Sequence, residues 1–138
     1  MTASPDASLF GGRELEVTGE RITAITLDSN VVVYAGSSRD HEFRIENVFT
    51  IDDPGGTDLT VRYDPYNRAN PVRENLTELT TIIDSIVTSG RAYVDGVLEL
   101  ILGDGRTIRV EPNPTYEAWT YTVGNFILAC PPGGFSTT

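Results

Sequence analysis

The sequence predicts an α+β fold: an antiparallel, meander-built β-sheet, either strongly curved or divided into two related β halves, with one amphipathic helix packed on it. Three observations lead to this prediction. Most of the 138 residues form short runs rich in β-branched and aromatic residues, separated by turn signals. Residues 72–88 instead carry apolar side chains at three- and four-residue spacing. The segments on either side, about 15–63 and 91–130, have similar strand patterns.

The length of the chain is ordinary for one domain with one hydrophobic core. We therefore expect a single domain over residues 13–138. Residues 1–12 are mostly small and polar, and their few apolar groups do not offset the entropy of ordering. We expect them to form a flexible N-terminal segment.

Strands in the first half are predicted from alternation and turn chemistry. Residues 21–27 and 31–35 are β-branched runs that flank Asp28-Ser29-Asn30, and Asp and Asn tolerate the positive φ of a tight turn. Alternating and apolar runs, with a Pro-Gly-Gly turn signal before the last one, predict three more strands at 42–46, 48–51 and 59–63.

One helix is predicted, over residues 72–88. Pro71 suits a first helical turn because its missing N–H costs nothing there, and Gly90 suits the exit. Glu74 would lie near the positive end of the helix. The apolar stripe that would face the sheet consists of Val72, Leu76, Leu79, Ile83, Ile86 and Val87.

After the helix, five further strands are predicted at 91–94, 97–102, 107–110, 117–122 and 126–130, with turns at 95–96, 104–105 and 124–125. The run HEFRIE at 41–46 resembles RTIRVE at 106–111, and each run ends a hairpin. This similarity predicts a β-meander used twice, although amphipathic strands also converge on such patterns by chance.

Charge and composition restrict the partners. Twenty acidic against ten basic residues give a net charge of −10, which repels nucleic-acid phosphates and anionic membrane surfaces and favours cationic partners or simple solubility. A single cysteine forms no internal disulfide, which is typical of a reducing compartment. The first ten residues have no basic and apolar signal regions, and no apolar run is long enough to span a membrane. We expect a cytoplasmic protein that binds neither nucleic acid nor membrane.

Catalytic and metal-binding residues are scarce. A nucleophilic Cys130 would need a neighbouring base, and the only imidazole is His41 in the other half of the chain. A buried, inert thiol is the favoured interpretation. One histidine and one cysteine cannot fill a structural zinc site, and the acidic residues lack the spacing of a calcium loop. We expect no catalytic residue, no metal and no cofactor.

Two groups of residues are candidates for binding a partner. Asp52, Asp53, Asp58 and Asp64 form an acidic region around a Gly-Gly turn, either a solvated edge or a patch for a basic protein. Tyr116 and Trp119 are aromatic residues of the kind that interfaces use. For Trp119, a strand at 117–122 favours a core position over a binding surface.

The C-terminal half carries a resemblance. Its runs LILGDGRTIRVEPNPTYEAW and GNFILACPPGG resemble a family of small uncharacterised bacterial proteins with a Tyr-Glu-x-Trp, Gly and Pro-Gly-Gly signature. The matching residues are Pro114, Tyr116, Glu117, Trp119, Gly124, Pro132, Gly133 and Gly134. The family has no assigned reaction, so the resemblance implies no catalytic residue. By analogy of type alone, small acidic proteins of this kind resemble immunity proteins, which cover the active cleft of a toxin.

The sequence therefore predicts a non-enzymatic protein-binding module, of the kind that inhibits a basic toxin domain. One alternative is a small hydrolase or ligand-binding domain with a pocket between sheet and helix, containing Cys130 or His41. Another is a structural homodimer joined through an open sheet edge.

Overall fold

The computed structural model describes residues 13–66, 69 and 72–135. This part of the chain forms twelve β-strands and one 3-10 helix. The strands are β1 (Arg13–Glu14), β2 (Ile22–Leu27), β3 (Val31–Ala35), β4 (His41–Ile45), β5 (Phe49–Asp52), β6 (Asp58–Asp64), β7 (Val72–Glu74), β8 (Val87–Ala92), β9 (Leu98–Leu102), β10 (Thr107–Val110), β11 (Trp119–Val123) and β12 (Phe126–Ala129), and the 3-10 helix is Leu76–Ile82.

The first sheet has five antiparallel strands in the order β12-β11-β4-β3-β2. Its inner face follows from the alternation of the strands, because every second side chain points the same way. Val33, Phe43 and Tyr121 stand side by side across three neighbouring strands, and all three are buried. Such cross-strand rows are the packing unit that holds the sheet's apolar face together.

The second sheet has seven antiparallel strands in the order β1-β8-β9-β10-β5-β6-β7. Leu98, Val110 and Phe49 form one buried row across its centre, next to Val61 of β6. Residues of both sheets belong to one hydrophobic cluster, so the two apolar faces share a single core.

Each meander is followed along the chain by a hairpin that lies in the other sheet. The meander β2-β3-β4 lies in the five-stranded sheet, and the chain then enters the seven-stranded sheet, where β5 pairs with β10. The meander β8-β9-β10 lies in the seven-stranded sheet, and the hairpin β11-β12 returns to the other sheet and pairs with β4. The similar runs at 41–46 and 106–111 contain β4 and β10, the strands that accept these hairpins. The single domain over 13–138 and the relation between the halves 15–63 and 91–130 stay predictions, and residues 1–12 lie outside the described residues.

The α+β prediction is wrong, because the described chain is mostly β and the helix over 72–88 does not form. Asn75 (φ 59°) and Asp84 (φ 79°) have left-handed backbone angles, which interrupt any helix. Between them the chain forms a 3-10 helix, in which residues three apart align. Its buried side chains, Leu79 and Ile82, have that spacing, whereas Ile83 of the predicted stripe is exposed.

The predicted helix boundaries also have other roles. Glu74 lies in β7 and forms an ion pair with Arg62, so it does not interact with a helix end. Gly90 lies inside β8, where a Cβ atom would come within 2.6 Å of the Val17 Cγ1 atom. Gly90 therefore permits a close approach of backbone to the core and is not a helix exit. Pro71 lies outside the described residues.

Candidate functional site

An open groove of about 550 Å³ lies where the two sheets meet. It is contributed by the β2–β3 turn, the β4–β5 connection, the end of β6, the start of β7 and the segment before β11. Its lining residues are Ser29, Asn30, Glu46, Asn47, Val48, Arg62, Tyr63, Asp64, Pro65, Tyr66, Val72 and Tyr116, and this set is called the tyrosine groove below. Its volume lies in the range of about 300 to 1,000 Å³ that is typical of binding pockets.

Strand β6 is longer than its neighbour, and this difference builds one wall. β5 pairs with residues 58–61 only, so Arg62, Tyr63 and Asp64 extend past it and pair with the short strand β7. The Tyr63 hydroxyl donates a hydrogen bond of 2.8 Å to the Asp28 carbonyl oxygen in the β2–β3 turn. That bond ties the seven-stranded sheet to the five-stranded one beside the groove.

Two further tyrosines present their rings to solvent. Tyr66 is 72% exposed, and its backbone N–H donates to the Asp64 Oδ1 atom at 3.1 Å. Tyr116 is 43% exposed, and its hydroxyl lies 3.5 Å from the Asn47 Oδ1 atom. An exposed tyrosine offers a rigid apolar ring with a polar tip, which is the composition that protein interfaces favour.

The charges of the groove are unbalanced. Arg62 is neutralised by Glu74, with the Nε and Oε1 atoms 3.0 Å apart. Among the described residues, neither Glu46 nor Asp64 takes part in an ion pair. The lining therefore combines tyrosine rings with two carboxylates that form no ion pair with any described residue.

The six partner-binding residues proposed from the sequence lie in three different parts of the structure. Asp64 and Tyr116 line the groove. Asp52, Asp53 and Asp58 lie at the β5–β6 turn, at the opposite end of β6. Asp58 and Asp64 are the two ends of the seven-residue strand β6, about 20 Å apart, since a strand rises about 3.3 Å per residue. Trp119 is fully buried and contributes nothing to the surface.

One of the acidic residues at the β5–β6 turn, Asp53, has a structural role. The Asp53 carboxylate accepts the Gly55 N–H at 2.6 Å, an Asx-type contact that stabilises the turn. Asp52 and Asp58 face each other directly across the hairpin, an arrangement that is unfavourable for two like charges. Asp52 Oδ1 is buried without a hydrogen-bond partner in the described chain. No group of three metal-ligating side chains occurs among the described residues.

Trp119 and Cys130 meet at one backbone carbonyl. Trp119 Nε1 donates to the Gly96 oxygen at 2.8 Å, and Cys130 Sγ lies 3.4 Å from the same oxygen. The C-terminal chain folds over this point, with Phe135 N–H donating to the Val94 oxygen. Gly96, Trp119, Cys130 and Phe135 are called the Gly96 cluster below. Burial, the largest cause, raises the pKa of the Cys130 thiol to about 11, so the thiol is protonated at neutral pH and a poor nucleophile.

His41 is also a core residue. Its Nδ1 atom lies 2.7 Å from the Tyr121 hydroxyl, and its ring stacks on the tyrosine ring. Glu20 lies 3.9 Å from the His41 Nε2 atom. Burial first, and then the charges of Glu16 and Glu20, raise the pKa of Tyr121. Neither His41 nor Cys130 lines the tyrosine groove.

The comparison with known families places the chain. A family of unknown function, DUF6188, matches residues 13–137. The chain belongs to this family. The match confirms the prediction of an uncharacterised family, and it says nothing of the C-terminal signature or of the analogy with immunity proteins. No curated protein and no solved structure matches the chain. Within the described residues, no helix has the length and apolar character needed to cross a membrane.

Several groove residues were missed by the sequence analysis, among them Glu46, Asn47, Tyr63 and Tyr66. One local signal was present: Tyr66 follows Asp64-Pro65 directly after a strand, and a large aromatic residue in a proline turn has little strand packing to satisfy. The remainder had no local signal, because the groove joins segments from both halves of the chain.

Proposed function

We propose that this protein is a non-enzymatic protein-binding module, and that the tyrosine groove is the surface that binds a basic partner protein. The observation that carries this proposal is the presence, in one groove, of exposed tyrosines beside two carboxylates that form no ion pair within the described residues. Exposed aromatic residues supply binding energy at interfaces, and net charge of opposite sign accelerates association. The net charge of −10 favours a partner of positive charge.

We further propose that the partner is a toxin-like domain and that binding inhibits it. The support is the acidic character of the chain together with the resemblance in type to immunity proteins. A small acidic protein that covers a basic active cleft needs only a complementary surface and no catalytic group. The buried, protonated state of Cys130 is consistent with such a role.

The test compares wild-type protein with Tyr66→Ala as baits in extracts of the native cell, at low and high salt. Tyr34→Ala is the matched control, because Tyr34 lies on β3 outside the groove. We expect one basic protein to bind wild type and Tyr34→Ala but not Tyr66→Ala. Binding should weaken with salt, since charges are screened beyond about 8 Å at physiological ionic strength.

The inhibitory role is then tested with the purified partner. Expression of that partner alone should arrest growth, and co-expression of wild type but not of Tyr66→Ala should restore it. Equal capture by all three baits would contradict the assignment of the groove. A captured partner that is harmless when expressed alone would contradict the inhibitory role.

One observation favours a homodimer as a second candidate. β12 is an edge strand of the five-stranded sheet, and Ile127 on it is 65% exposed. An open edge with an apolar side chain is a template for pairing with another strand. Light scattering measures the mass in solution. A dimer mass for wild type that Ile127→Lys converts to a monomer mass would support the homodimer. A monomer mass for wild type would refute it.

A further inference from the structure

We infer that the tyrosine groove binds a single arginine side chain of the partner, with its guanidinium group at Asp64. This inference rests on the proposed function and names the chemical group that the groove recognises. It follows from the hydrogen-bonding capacity of the lining, from its charge and from its tyrosine rings.

The lining has an excess of hydrogen-bond acceptors. Asp64 uses its Oδ1 atom on the Tyr66 N–H, and its carboxylate has further acceptor capacity. Asn47 Oδ1 has two neighbours, the Asn113 amide and the Tyr116 hydroxyl, both at 3.5 Å. Good hydrogen bonds of these types are shorter, about 2.7 to 3.0 Å, so the described residues satisfy this oxygen incompletely. Acceptors that the described residues leave with spare capacity favour a ligand that is rich in donors.

The charge of the groove selects a cation. Glu46 and Asp64 carry two negative charges, and Arg62, the cation among the described lining residues, is held by Glu74. A phosphate or carboxylate ligand would meet these carboxylates with no free lining cation in the described residues to offset the repulsion. A cationic side chain would gain a charge-assisted hydrogen bond at Asp64.

The tyrosine rings favour arginine over lysine. A guanidinium group is planar, has five N–H donors and stacks on aromatic faces, whereas an ammonium group is a compact and strongly hydrated charge. Tyr63, Tyr66 and Tyr116 all line the groove, so stacking and carboxylate contacts are available in the same place. One lining oxygen already accepts from a guanidinium group: Arg44, which is outside the lining, donates to the Asn30 side-chain oxygen at 3.1 Å.

The experiment is an NMR titration of the ¹⁵N-labelled full chain with three blocked peptides. They are acetyl-Gly-Arg-Gly-amide, the same peptide with citrulline, and the same peptide with lysine. Citrulline keeps the shape of arginine and removes its charge. We expect the arginine peptide to shift amide signals of groove residues and to bind at least tenfold more tightly than the citrulline peptide, and more tightly than the lysine peptide.

Two variants locate the contact. Asp64→Asn keeps an oxygen that can accept the Tyr66 N–H, so the local turn is preserved, and we expect at least a fivefold loss of affinity for the arginine peptide. Asp58→Asn is the matched control, because Asp58 is an exposed carboxylate at the other end of the same strand, and we expect no change. Unchanged amide spectra away from each substitution verify the fold.

Three results would overturn the inference: equal affinity for citrulline or lysine, an Asp64→Asn variant that binds like wild type, or shifts confined to residues outside the groove. Its failure is distinguishable from failure of the proposed function. A partner that requires Tyr66 while the arginine peptide does not bind would refute the inference alone. A groove that binds the peptide with the stated selectivity, while no protein partner requires Tyr66, would support arginine recognition and refute the proposed function.

Discussion

The tyrosine groove and the Gly96 cluster both contain aromatic residues beside turns, yet the structure uses them in opposite ways. In the Gly96 cluster the Trp119 ring is fully buried and its only donor is satisfied by the Gly96 carbonyl oxygen. In the groove, Tyr66 is largely exposed and its ring packs on little. Burial and hydrogen-bond satisfaction, not residue type, therefore distinguish an aromatic residue that stabilises the core from one that is available to bind a partner.

The largest loss of stability is expected from substitution of Trp119. Trp119→Ala removes a fully buried ring and leaves the Gly96 oxygen without its N–H donor, so the free energy of unfolding should fall by about 3 to 5 kcal/mol. That loss is a large part of the total of about 5 to 15 kcal/mol for a domain. Thermal and urea melts measure it. An unchanged melting temperature would contradict the core assignment and return Trp119 to the candidate interface residues.

Gly96→Ala tests the backbone of the same cluster. Gly96 has a φ of +97°, and a Cβ atom would lie 2.8 Å from Pro112 Cβ and 3.0 Å from Cys130 Sγ. Strain and overpacking together should lower stability by about 2 to 4 kcal/mol. Gly19→Ala is the control, because Gly19 has a φ of +93° with open space around it. Equal urea-melt losses for the two variants would show that close packing at Gly96 adds nothing.

The pH dependence of stability tests whether Cys130 is a buried core thiol. The unfolded thiol ionises near its ordinary pKa of 9.0, whereas the folded thiol stays protonated until about 11. The unfolded state therefore loses its proton first, and stability falls as the pH rises from 9 to 11, by about 2 kcal/mol from this group. Tyr121, with a raised pKa, adds a loss in the same direction at higher pH.

The contribution of Cys130 alone comes from urea melts of wild type and Cys130→Ala between pH 7 and 11. The stability difference between them should narrow or reverse as the pH rises, because the variant lacks the thiol that ionises on unfolding. Parallel curves across this range would mean that the thiol is accessible and ionises equally in both states.

The smallest stability effect is expected in the groove. Tyr66→Ala should change the free energy of unfolding by no more than about 0.5 kcal/mol, because the ring is mostly in solvent. The same variant should lose the partner. A large drop in its melting temperature would remove the contrast between the two regions, because Tyr66 would then be a structural residue.

Local features of the fold were predictable from the sequence. Strands β3 and β10 begin and end where the sequence predicted strands, over residues 31–35 and 107–110. The helix was not predictable by the same method, since apolar residues three apart fit a 3-10 turn as well as an α-helix. Thr80 and Thr81 also donate their hydroxyls to carbonyl oxygens three residues earlier, a local bond that competes with regular helix.

The candidate site was predictable only in part. Asp64 and Tyr116 were singled out for charge and aromatic character, and both line the groove. The acidic residues near them in sequence, such as Asp58, lie at the far end of β6, because an extended strand separates its two ends. A groove assembled from both halves of the chain depends on the pairing of distant strands, which no local pattern specifies.

The crossing of hairpins between the sheets has a consequence for synthesis and folding. β4 completes its pairing only when Arg44 meets Thr120, 76 residues later (120 − 44), and β10 needs β5 from the first half. Such contacts of long sequence separation slow folding, because loop-closure entropy is lost before they form. During translation β4 keeps an open edge until β11 has left the ribosome. A nascent chain ending near residue 110 should therefore aggregate or recruit a chaperone, and only the near-complete chain should fold cooperatively.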